Sequence, residues 1–133
     1  MKDHTRLIIS DLHLGSAYSK EEEIYDLLTS IQFDELILAG DIIEFLRKPV
    51  FTETTQKLIN FICKLEKKVI YIVGNHDDAL KSFIGKRSGE IEFVKQYEFV
   101  YGERKFRIQH GDQYDTGVVK WRYTIEFISF IQN

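Results

Sequence analysis

Val69-Ile70-Tyr71-Ile72-Val73 runs straight into Gly74-Asn75-His76-Asp77. An unbroken row of β-branched and aromatic residues reads as a buried strand. The glycine stops it, and three polar side chains able to bind metals follow. The design recurs three times: Leu7-Ile8-Ile9-Ser10 leads into Asp11-Leu12-His13, Leu36-Ile37-Leu38-Ala39 into Gly40-Asp41, and Phe106-Arg107-Ile108-Gln109 into His110-Gly111-Asp112. Four strand ends are therefore expected to share one site.

The segments between them predict how those ends meet. Thr5 to Ser10 is a first strand and Asp11 to Tyr18 a loop. Lys20 to Ile31 places Ile24, Leu27, Leu28 and Ile31 at helical spacing, with Ser19 as candidate N-cap and Glu21, Glu22 and Glu23 suited to the positive helix start. Glu35 to Ala39 is a second strand. Thr52 or Thr54 caps a second helix, whose Leu58, Phe61, Ile62 and Leu65 form an apolar stripe, and Val69 to Val73 follows. Alternating strands and helices signal a parallel sheet, in which ligands gather at the carboxyl ends of the strands.

Beyond Asp77 a short helical piece, Ala79 to Ile84, precedes Ile91 to Val94, Glu98 to Tyr101 and Arg104 to Gln109. These three read as antiparallel strands of a second sheet. From Val119 to Phe127 apolar and polar residues alternate, so periodicity favours a strand over Val118 to Ile131, although Trp121, Ile125 and Ile128 also fit a helix face.

A length of 133 residues suits one domain, 1–133, and a chain of that size buries about two thirds of its unfolded surface. With 44% apolar and 29% charged residues and a single proline, the composition excludes a disordered chain. No window approaches the roughly 20 apolar residues of a membrane span, and the first residues lack the apolar core of a secretion signal, so a cytoplasmic address is expected. Cys63 has no second cysteine to pair with and is expected as a core thiol. The net charge of −3 argues mildly against a nucleic-acid partner. Two divalent cations at a carboxylate cluster would more than cancel that charge and present a positive pocket to a phosphate.

Each polar motif is weak by itself. Asp11 and His13, two residues apart, point the same way if the chain stays extended, and a carboxylate beside an imidazole suits a first-row divalent ion. Gly40-Asp41 alone is an ordinary turn. Gly74-Asn75-His76-Asp77 is more specific, because a turn has no need of the His-Asp pair. Weight comes from coincidence: three of the four histidines fall at equivalent strand ends, leaving His4 as a surface residue.

Taken in order, Asp11-Leu12-His13, Gly40-Asp41, Gly74-Asn75-His76-Asp77 and His110-Gly111-Asp112 resemble the calcineurin-like metallophosphoesterase family over Leu7 to Asp115. The resemblance implies an α/β fold, a four-layer α/β/β/α sandwich of two sheets flanked by helices. Within the family, Asp11 to Gly15, Gly40 to Phe45 and His110 to Asp115 look most like the UDP-2,3-diacylglucosamine diphosphatase branch, where the stretch after the last motif is a helix. On that ground a helix is expected for Val118 to Ile131, against the periodicity.

By the same resemblance Asp11 and His13 hold a first metal, Asp41 bridges, and Asn75 and His110 hold the second. Mn²⁺ is the first choice, with Fe, Zn or Co compatible with the donor set. The implied reaction is hydrolysis of a phosphoester or pyrophosphate by hydroxide activated between the two metals. His76 serves as acid or hydrogen-bond donor to the leaving side and Asp77 orients its ring. The implied substrate is a phosphorylated small molecule or a lipid-linked nucleotide, with peripheral contact at the inner membrane.

One departure stands out: the family completes its metal shell with a later Gly-His-x-His motif, and no histidine follows His110 here. A C-terminally truncated member is therefore expected, with an incomplete second sheet and three protein ligands per metal. Such a chain would expose apolar surface that a homo-oligomer could cover. Two rival functions remain: a nucleotide or nucleic-acid phosphodiesterase, and a metal-poor, non-catalytic binding module like the retromer subunit of this family.

Overall fold

A computed structural model describes residues 4–110 together with the backbone of 125–131. Its first sheet has the order β1-β2-β3-β5-β4, built from Arg6–Ile9 (β1), Glu35–Ala39 (β2), Lys68–Ile72 (β3), Arg87–Ser88 (β4) and Ile91–Val94 (β5). β1, β2, β3 and β5 run parallel, with Leu7 opposite Leu36 and Leu36 opposite Val69, and β4 is a short antiparallel edge. Gln96–Tyr101 (β6), Arg104–His110 (β7) and Ile125–Ile131 (β8) form a second, antiparallel sheet in that order. The mixed α/β fold with two sheets is the one expected.

The residues explain the layering. Every residue of β2 is buried, which requires cover on both faces. Leu36, Leu38, Val69 and Tyr71 face helices α1 (Glu21–Ser30) and α2 (Glu53–Cys63), where Leu28, Leu58 and Ile62 complete a core. Ile37, Ala39, Ile70 and Ile72 face the other way and meet Ile108, Tyr97 and Phe99 of the second sheet. A fully buried Leu or Ile contributes about 1.5–3 kcal/mol, against about 0.5–1.5 for a typical hydrogen bond, so apolar contact between layers dominates.

Several expectations need correction. Ile91–Val94 pairs in parallel with β3 and extends the first sheet, because Val69 to Ile72 offers it a complete ladder partner. Ile125–Ile131 is a strand along β7, with His110 opposite Ile125, and not the expected helix, because β7 offers it a complete ladder partner. Residues 111–124, with Trp121 and the remaining motif residues Gly111, Asp112 and Asp115, lie outside the description. Both described helices lie on one face of the first sheet.

Caps differ in kind. Thr52, not Thr54, caps α2, in a reciprocal box with Thr55. Ser19 does not cap α1; its hydroxyl donates to the Leu12 carbonyl and ties down the first motif loop, while Glu21, Glu22 and Glu23 supply the negative charge at the helix start. Cys63, at the end of α2, is exposed and not in the core. His4 is half exposed, with Nε2 3.2 Å from the buried Glu35 carboxylate. The expected Ala79 to Ile84 helix is a 3₁₀ turn over Asp78–Phe83. None of the described helices is long and apolar enough to cross a membrane.

Candidate metal centre

Parallel pairing brings the ends of β1, β2 and β3 to one edge, and backbone hydrogen bonds then extend the sheet into the loops. Asp11 N–H donates to Gly40 O (3.1 Å), His13 N–H to Asp41 O (3.0 Å) and Leu14 N–H to Ile42 O (2.7 Å). Within this ladder Asp11, His13 and Asp41 adopt φ of 55°, 46° and 53°. Left-handed backbone is uncommon outside glycine and costs on the order of 1–3 kcal/mol per residue, and such strain clusters at functional sites. The chain at Asp11-x-His13 is therefore not extended as the spacing suggested. Even so, His13 Nε2 ends 3.9 Å from Asp11 Oδ1.

Two motif glycines are required for steric reasons. A Cβ on Gly40, whose φ is 87°, would overlap the His110 ring; one on Gly74 would lie 2.5 Å from Asp41 Oδ1. Glycine there lets the strand ends close around both side chains.

Six side chains collect in two groups whose ligand atoms lie within 4.8 Å of one another in each: Asp11 with Asp41 and His110, and His13 with Glu44 and His76. In the first group Asp41 and His110 are almost fully buried, with His110 Nε2 3.2 Å from Asp41 Oδ2 and 3.6 Å from Asp11 Oδ1. Asp41 Oδ1 accepts the His76 N–H at 2.9 Å, and Asp11 Oδ2 accepts from the Ser10 hydroxyl. The other oxygens, Asp11 Oδ1 and Asp41 Oδ2, are buried without a hydrogen bond among the described residues, and so is Asn75 Oδ1.

The second group is knitted together. Glu44 Oε2 lies 3.0 Å from His13 Nδ1 and 2.7 Å from His76 Nδ1, while Oε1 lies 2.9 Å from His76 Nδ1 and accepts from the Leu46 N–H. The two imidazoles meet edge to face at 4.7 Å. Burial alone would raise the Glu44 pKa, but hydrogen bonds from His76 and His13 outweigh it and hold the carboxyl below its ordinary value. An ionised carboxylate only accepts, so each Nδ1 donates its proton to Glu44, and Nε2 is the nitrogen of each ring that can meet a ligand or substrate. Sequence reading assigned Glu44 no role. Its signal was a lone carboxylate among Ile42, Ile43 and Phe45, which a buried chain must pair.

Asp77 was expected beside the His76 ring. In the structure its Oδ2 accepts from the Ile42 N–H (2.9 Å) and the Tyr71 hydroxyl (2.6 Å), and its Oδ1 from the Gly74 N–H (2.6 Å). Glu44 occupies the place at His76 Nδ1. Asp77 is fully buried, and burial raises its pKa despite those three donors; Tyr71 is raised well above the ordinary phenol value by its own burial and by the facing Asp77.

The arrangement can hold cations. Buried carboxylate oxygens facing imidazole nitrogens form the mixed oxygen and nitrogen donor set that first-row divalent metals take, and a buried oxygen lacking a partner costs about 1–3 kcal/mol until one arrives. Asp11, His13, Asp41, Asn75, His76 and His110 all lie at this edge of the molecule. A family model for the calcineurin-like phosphoesterase matches residues 4–131. No curated protein and no solved structure matches the chain.

Proposed function

The chain belongs to the calcineurin-like phosphoesterase family, and we propose that it hydrolyses a phosphoester or pyrophosphate bond at a centre of two divalent cations. Asp11, His13, Asp41, Asn75 and His110 would hold them, with Mn²⁺ the first choice and Fe, Zn or Co compatible with the same donors. One observation carries the reading: Asp11 Oδ1, Asp41 Oδ2 and Asn75 Oδ1 are buried acceptors that no described donor satisfies.

When bound, such cations polarise the phosphoryl group and make a water acidic enough to serve as nucleophile near neutral pH. The chain's own residues do the rest. Asp41 is anchored by the His76 N–H at one oxygen, and its second oxygen faces His110 Nε2 at 3.2 Å. Glu44 fixes both imidazoles through Nδ1, so His76 Nε2 is the atom placed to hold a proton for the leaving oxygen. The Leu14 and Ile42 backbone contacts keep these loops closed while charge develops on phosphorus.

As substrate we favour a pyrophosphate of the UDP-2,3-diacylglucosamine kind, a lipid-linked nucleotide. The support is local. The segment after Glu44 exposes Leu46, Val50 and Phe51 around Arg47 and Lys48, and Val50 is tied to Gly15, two residues past His13; Tyr18 is also exposed. Apolar and basic side chains together suit an acylated anion and peripheral contact with a membrane face. Assay with Mn²⁺ against bis-p-nitrophenyl phosphate and a UDP-sugar lipid tests the proposal. Turnover of the lipid over the simple diester is the expected result. Metal uptake without turnover of either would refute the hydrolase.

A further inference from the structure

We infer that Tyr71 is a positioning residue of this centre: acting through Asp77, its hydroxyl sets the spacing between the loop carrying Asp41 and the loop carrying Asn75 and His76. The inference rests on the metal-dependent reading above. Tyr71 lies in β3, only 5% exposed, with its ring against Phe93 at 5.3 Å. That packing needs no hydroxyl, and a phenol buried among Leu36, Leu38 and Leu58 is unfavourable unless its O–H is bonded. The hydroxyl donates to Asp77 Oδ2, and the Ile43 backbone amide faces the phenol oxygen.

Asp77 is the crosspiece. Its carboxylate takes the Ile42 N–H from the Asp41 loop and the Gly74 N–H that opens the Asn75-His76 loop, so one buried anion spans both. Two further bonds repeat the link, from His76 N–H to Asp41 Oδ1 and from Phe45 N–H to His76 O. With two backbone donors alone, Oδ2 keeps a single partner and the carboxylate can rotate. Gly74, which follows through its N–H, is close enough to the Asp41 loop that an added Cβ would lie 2.5 Å from Asp41 Oδ1. A shift of Asp77 therefore moves the bridge-forming Asp41 relative to Asn75.

The experiment compares Tyr71→Phe with Phe93→Leu, which loosens the same packing and keeps the hydroxyl. Mn²⁺ affinity is measured by titration of the metal-free chain, kcat and KM on bis-p-nitrophenyl phosphate, and amide exchange at Ile42 and Gly74 by NMR. Tyr71→Phe is expected to weaken Mn²⁺ binding roughly 10- to 100-fold, as loss of a partner behind a metal ligand does. It should also lower kcat at saturating metal with KM little changed, and speed exchange at Ile42 and Gly74. Phe93→Leu should lower Tm yet bind Mn²⁺ like the parent. Parental metal affinity in Tyr71→Phe, equal weakening in both variants, or failure of Tyr71→Phe alone to fold would each overturn the inference. A parent that binds Mn²⁺ without turnover refutes the hydrolase and leaves the affinity comparison intact; a parent that binds no metal overturns both.

Discussion

Asp11, Asp41 and His110 lie against His13, Glu44 and His76, with only 3.9 Å between His13 Nε2 and Asp11 Oδ1, yet the two groups are built on opposite principles. In the second the carboxylate is fully engaged, with Glu44 holding two imidazole N–H groups and a backbone amide. The first leaves two carboxylate oxygens buried without a hydrogen bond among the described residues. A satisfied carboxylate stabilises the fold and fixes geometry; an unsatisfied one burdens the fold until a cation arrives. The division teaches where stability and function part company in this molecule.

The comparison breaks most visibly on metal removal. Chelation should abolish hydrolysis and lower Tm, and Mn²⁺ at about 100 times its dissociation constant should return about 2.7 kcal/mol of stability. A Tm indifferent to metal would count against the first group as its seat. Next in size is Asp41→Asn, which keeps an acceptor for the His76 N–H but removes the buried charge. Activity should fall about 10³-fold, the equivalent of several kcal/mol of lost metal chemistry, while the metal-free chain becomes more stable in a urea titration. Glu44→Gln should behave in reverse. Losing charge-assisted bonds to His13 and His76 should destabilise the metal-free chain by about 2 kcal/mol, with activity reduced roughly 10- to 100-fold and metal still bound. If both variants shift stability in the same direction, the two groups are not distinct.

The smallest effect is in pH. Glu44 and Glu35 both sit below the ordinary 4.5: burial pushes each up, but His76 and His13 outweigh it at Glu44, and Tyr97, His4 and Arg6 at Glu35. A depressed carboxyl contributes stability above its unfolded pKa and loses it as pH falls through the folded one. Urea midpoints of the metal-free chain should therefore drop as pH falls below about 4.5, with a shallower drop in Glu44→Gln. Asp77, raised by burial, has the opposite sign: its protonation on acidification relieves the fold and offsets part of the loss.

How much of this was legible beforehand follows from the range of each interaction. The β2 and β3 strands and the polar residue after each could be read directly, because a buried strand leaves a continuous apolar run and a glycine marks its end. The Ile125–Ile131 strand was legible only in part, since the alternating run shares Ile125 to Phe127 with it while the helix-face spacing and the family resemblance pointed elsewhere. The sheet to which Ile91–Val94 belongs was not legible, since four residues carry strand propensity but no address. The pairings of Glu44 with imidazoles 31 and 32 residues away, and of Asp77 with an amide 35 residues away, were not legible for a related reason: no local pattern records them.

The sequence by itself determined which chemistry is present: carboxylates, an amide and imidazoles, each placed at the tip of an apolar run, and with them the family. Tertiary structure decided which carboxylate serves which imidazole. That choice depends on left-handed turns at Asp11, His13 and Asp41 and on two loops closing around glycines, where a rotation of one backbone dihedral re-aims a side chain by several ångströms. Composition and periodicity average over such rotations, and only the packed chain selects one.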